Sequence, residues 1–156
     1  MTGEPVMAQS IEYDRNVLKV ELSTDVQSAI DSGVSLTFEN QIAHADKLFF
    51  YQWRSLLIKH DYIITRHALS NRYLVHESNK VEPQIFTSTR ESMAYISEQS
   101  IARFTEYTSR QTSSTPSLEM RLRLSKTKLP GPMRLVAFIA SEWDLDSGWN
   151  QWQSDQ

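Results

Sequence analysis

Over residues 118–125 the chain alternates without a break: Leu118, Met120, Leu122 and Leu124 take every second position, and Glu119, Arg121, Arg123 and Ser125 fill the positions between. Successive side chains of an extended strand point to opposite faces, so this segment buries one face and wets the other only as a β-strand. Leu18, Val20 and Leu22 alternate with Lys19 and Glu21 in the same way, and Val34, Leu36, Phe38 and Ile42 share a parity within a longer strand at 34–44. Residues 48–67 are rich in aromatic and β-branched side chains on both parities. That pattern predicts either a central strand covered on both faces or one that changes face at a bulge. A turn at 68–71 then leads into Tyr73 and Val75, which completes a long hairpin. The fold class predicted is mainly β, an antiparallel two-layer β-sandwich of six to eight strands with one or two short helices. The alternative is α+β, with helices on one face of an antiparallel sheet.

Helical signals are fewer. Residues 24–32 read as a short helix that Thr24 can cap and Gly33 can stop. Met93, Ile96, Ile101 and Phe104 stand near helical spacing and place a second helix at 88–100. The Ser, Thr and Pro residues of 105–117 predict an exposed loop. Pro130 and Pro132 end strand pairing, and 133–140, apolar nearly all round, reads as a short buried helix starting at Pro132, or as another strand. Residues 143–152 read as an irregular closing strand. With 156 residues and no cysteine, the chain is long enough for one core that needs no disulfide. It is expected to form a single domain over 11–156, behind a disordered leader at 1–10.

Charge is segregated along the chain. Residues 1–46 carry eight acids and two bases, 47–134 fourteen bases and seven acids, and 135–156 four acids and no base. Distant blocks of opposite sign can neutralise each other on folding, or leave a basic middle surface free for an anion. A pI near 5.8 and the lack of a recognition-helix or aromatic-interleaved basic motif argue against nucleic acid. No apolar run approaches the length of a membrane span.

Familiar catalytic spacings are missing: there is no Gly-x-Ser-x-Gly elbow, no phosphate-cradling loop, no dinucleotide fingerprint and no His-Glu-x-x-His. No catalytic residue, metal ligand or cofactor is assigned, and an enzyme is not expected. Arg121 and Arg123 project from one strand face with Lys126 and Lys128 following. They form either a grip for phosphate or carboxylate groups or the solvated side of an edge strand. Trp143, Trp149 and Trp152 either anchor the chain end to the core or form an aromatic shelf for a sugar or peptide. His60 and His76 would fall near the same rung if the hairpin turned at 68–69, which would allow a zinc or copper site and a metal-assisted hydrolase.

The run Tyr62-(x)6-Leu69-Ser70-Asn71-Arg72-Tyr73, the segment Leu129-Pro130-Gly131-Pro132-Met133 and the closing Ser141-Glu142-Trp143-Asp144-Leu145-Asp146-Ser147-Gly148-Trp149-Asn150-Gln151-Trp152 resemble the proteobacterial family catalogued as domain of unknown function 4390. The opening Ala29-Ile30-(x)2-Gly33-Val34-(x)-Leu36-(x)-Phe38 fits the same pattern. The resemblance runs over roughly 15–153. It implies a periplasmic envelope protein whose precursor carries a signal peptide, often encoded beside a membrane sensor histidine kinase. It supplies no reaction, catalytic residue or cofactor. The tryptophans belong to its fold signature.

The function expected is therefore a non-enzymatic interaction module of the bacterial envelope. It would bind a protein partner, such as a component of a sensor-kinase system, through strand edges or the basic central surface. The alternatives are a glycan or small-ligand domain using the C-terminal tryptophans, and the metal-assisted hydrolase.

Overall fold

A computed structural model describes residues 10–111 and 117–152. The chain runs β1 (Ser10–Asp14), β2 (Val17–Glu21), α1 (Thr24–Asp31), β3 (Leu36–Leu48), β4 (Tyr51–His67), β5 (Arg72–Glu77), β6 (Gln84–Phe86), α2 (Thr89–Ser109), β7 (Ser117–Leu124), α3 (Gly131–Ile139) and β8 (Asn150–Gln151). Single 3₁₀ turns lie at Lys126–Lys128 and Ser141–Trp143. The described residues are mainly β, with two antiparallel sheets and three α-helices. A six-stranded sheet has the order β6-β5-β4-β3-β7-β8, and β1 and β2 form a separate hairpin. Of the expected leader, residues 1–9 lie outside the described residues, and Ser10 opens β1.

The alternation in β7 does what its spacing requires: Leu118, Met120, Leu122 and Leu124 are buried, while Arg121 and Arg123 on the other face are half-buried. β3 is sealed on both faces over 36–43 because β4 and β7 flank it and both of its surfaces are covered. β4 lies between β5 and β3, and its register on β3 shifts between Ile42 and Ala43, so that Ile58 and Leu56 are paired and Leu57 is the extra residue. The bulge is present, but β4, although central in strand order, is not covered on both faces: residues 51–57 are exposed, so the expectation of a strand covered on both faces is corrected.

Helix α2 covers one face of the sheet with Met93, Ile96 and Phe104 and also packs on β2. At 21 residues it is neither short nor finished at residue 100. The expected loop at 105–117 is helix as far as Ser109, because Thr105, Thr108 and Ser109 donate their hydroxyls back to the carbonyls of Ile101, Phe104 and Glu106. Their polarity is thus absorbed within the helix. Residues 112–116 of that expected loop lie outside the described residues. Helix α1 is capped by Ser23, whose hydroxyl accepts from Val26 N–H, and not by Thr24. Gly33 follows at φ +93°, a conformation that favours glycine. Helix α3 begins at Gly131, one residue before the expected start, and only Ala137 of its nine residues is buried. The expectation of a buried helix is therefore corrected: α3 is apolar and turned outward.

Candidate functional site

The outer face of the sheet, away from α2, gathers the bases singled out in the sequence and pairs each with an acid. Glu39 on β3 is almost fully buried and receives Lys59 at 3.1 Å, Arg123 at 3.2 Å and Lys128 at 3.8 Å. Burial alone would raise its pKa, but the hydrogen bonds and charges of Lys59 and Arg123 outweigh that and hold it below the usual glutamate value. Arg121 grips Asp146 through Nε at 2.8 Å, Lys126 pairs with Asp144, and Lys128 also reaches Asp61. The basic middle of the chain is thus interleaved with acids from the first and last blocks.

The three tryptophans are engaged by different elements. Trp143 is buried in the core, Trp152 meets Phe104 edge-on at 5.7 Å, and Trp149 lies under the guanidinium groups of Arg54 at 5.3 Å and Arg121 at 5.7 Å. Where β7 ends, Arg123, Lys126, Trp143 and Phe138 border a groove of about 360 Å³ floored by Leu124 and Leu145. Beside it, α3 exposes Leu135, Val136, Phe138 and Ile139, the last at 86%. Lys126 Nζ stands 5.8 Å from the Phe138 ring, joining the groove's rim to the helix. Of the predicted residues, Arg123, Lys126 and Trp143 come together here; Arg121, Lys128, Trp149 and Trp152 stand elsewhere.

On the inner face a polar cluster lies under α2. Tyr95 donates to Glu77 at 2.7 Å, Lys80 pairs with Glu77 at 2.6 Å, and Arg103 donates to both Asn40 at 3.2 Å and Tyr62 at 2.9 Å. His60 Nε2 stands 3.5 Å from Glu77. Burial, with Arg103 nearby, keeps the His60 imidazole below its ordinary pKa, against the opposing pull of Glu77. The carboxyl of Glu77 is also held low: burial pushes it up, but the hydrogen bonds from Lys80 and Tyr95 prevail. His76 does not join this cluster. It pairs with Ile63 and is exposed, while Glu77, across from Tyr62, faces inward. The shared rung of His60 and His76 is therefore corrected: the turn takes four residues, 68–71, and His76 falls opposite Ile63, three residues from His60 and so on the other face. Among the described residues no group of three His, Asp or Glu could hold a metal.

The most exposed apolar element was legible only as a run of mixed parity. The ladder between β3 and β7 ends at Ala45, and β5 pairs with β4 only from Tyr62 onward. The far ends of β3 and β4 therefore form a two-stranded arm. At its tip Leu48, Phe49, Phe50 and Tyr51 are exposed, Phe50 completely at 104% and Phe49 at 84%. Phe49 has φ +54°, in the left-handed region. No helix among the described residues is long and apolar enough to cross a membrane.

The described residues thus form a β-rich module whose main sheet is covered by a helix on one face and by charge pairs on the other, with two apolar elements turned outward at opposite ends. The chain belongs to the family described as Domain of unknown function (DUF4390), which matches residues 15–153. No curated protein and no solved structure matches it.

Proposed function

We propose that the protein is a non-enzymatic interaction module of the bacterial envelope that takes an apolar segment of a protein partner against α3 and the groove beside it. One observation carries this reading: a nine-residue helix exposes Leu135, Val136, Phe138 and Ile139 next to a groove floored by Leu124 and Leu145. Contiguous exposed apolar surface with a polar rim is characteristic of protein docking sites. The rim carries both signs, with Lys126 beside Asp144 and Arg123 near Asp146, which suits a partner segment whose apolar core is flanked by polar groups. The envelope location and a link to a sensor-kinase system are supported by the family resemblance.

The test is the native size of the protein in envelope extracts cleared of membranes by ultracentrifugation, with the purified chain as reference. The wild type should elute well above the purified protein. The variant Leu135→Asp/Phe138→Asp should elute with it while keeping its circular dichroism, since both side chains are exposed. Equal elution of wild type and variant from the extract would refute the assignment.

A further inference from the structure

At the opposite end of the sheet from α3, the tip of the β3–β4 arm is apolar at its apex and amphipathic below it. The turn, Phe49 and Phe50, is wholly apolar, and the first rung pairs Leu48 with Tyr51. The second rung, Lys47 with Gln52, is polar. The third sets Trp53 against Asp46, and Trp53 packs beside Tyr51 with ring centroids 6.0 Å apart. At about 3.4 Å per rung, the turn stands about 10 Å beyond Trp53, close to the depth at which interfacial elements seat in a bilayer.

We propose that this tip inserts into the headgroup and upper acyl region of a lipid bilayer. Phe49, Phe50 and Leu48 enter the apolar layer. Tyr51 and Trp53 sit at the boundary, where an apolar body with one polar atom is most stable. The Lys47 ammonium, on the exposed second rung, reaches back toward the lipid phosphates, with the Asp46 carboxylate one rung farther from the bilayer. The backbone adds an independent argument. In a two-residue hairpin turn a positive φ at the first position favours glycine, yet an exposed phenylalanine holds it. That ring stands against the local conformational preference, as expected where a side chain serves contact with something outside the fold. Below the apex Leu48, Tyr51 and Trp53 share one face and Lys47 and Gln52 the other, so the arm is amphipathic, as suits an element seated in a headgroup layer with its polar side toward water.

The inference stands apart from the partner groove, and its experiment leaves α3 unchanged. The full chain is floated with vesicles of phosphatidylcholine, with and without phosphatidylglycerol, and Trp53 quenching is read with lipids brominated near the carbonyls. The protein should float with both, with a preference of about fivefold for the anionic vesicles that Lys47→Gln removes. Phe49→Ser/Phe50→Ser should lower partitioning about tenfold or more, whereas Val81→Ser/Ile85→Ser, which alters exposed apolar residues elsewhere, should float as the wild type does. Failure of the wild type to float, or flotation of the double phenylalanine variant at the wild-type level, would overturn the proposal. So would capture of a protein by the tip without any binding to lipid.

Discussion

Replacing Phe49 by glycine should stabilise the protein, against the trend of most substitutions. A residue with a side chain at φ +54° carries a steric cost of about 1–2 kcal/mol in the left-handed region. Glycine removes that cost but loses about 0.5–1 kcal/mol through its greater freedom in the unfolded chain. The ring is 84% exposed, so deleting it forfeits little burial. The balance favours the variant by about 0.5 kcal/mol, or about 1–2 °C in melting temperature for a domain of this size. Phe50 provides the internal control, because it is not among the positive-φ residues, and Phe50→Gly should lose about 0.5–1 kcal/mol. Urea titration of wild type and both variants at one pH reads the two signs directly. A lower midpoint for Phe49→Gly, or equal effects at the two positions, would refute the reasoning that this turn trades stability for surface.

Glu39→Gln should cost about 2 kcal/mol by urea denaturation, because it leaves Lys59, Arg123 and Lys128 facing one another around a buried site, although their own exposure moderates the loss. Stability should fall in two stages on acidification. His60 has a folded pKa below its unfolded 6.5, so the stability it contributes is present above 6.5 and declines as pH falls from there toward the folded value. Glu39, Glu77 and Asp146 are likewise held low, so a second loss begins below the ordinary carboxylate values of 4.5 and 3.8. Urea midpoints across pH 8 to 3 should show both stages in the wild type and only the second in His60→Asn. Leu145→Ala should cost about 3 kcal/mol despite lying outside any helix or strand, since Leu145 is fully enclosed with Leu124 and Trp143 nearby.

Period-2 alternation was enough to locate β2, β3 and β7, because in each the buried face is continuous and uninterrupted by caps or turns. It failed where polarity is settled by contacts rather than by exposure. The second half of α2 reads as loop from its Ser and Thr content, yet those hydroxyls bond to the preceding turn while Phe104 packs inward. The opposite error occurs at α3 and at the arm, where apolar side chains imply burial and the structure turns them out. Periodicity reports which residues share a face; it does not report what covers that face. The charge blocks indicated that ends and middle could meet, but Glu39 and Arg123 are joined only by the register of β3 on β7, which no local pattern encodes. The pairing of His60 with Glu77 instead of His76 depended in the same way on the length of one turn.

If both proposals hold, the two ends of this sheet face different surroundings, a protein at α3 and a lipid surface at the arm. A photoreactive amino acid placed singly at Phe138, Phe50 and Val81 in living cells tests it most directly. Position 138 should give a discrete protein adduct, position 50 lipid adducts and position 81 neither. The same products from all three positions, or a protein adduct at 50 with none at 138, would contradict it.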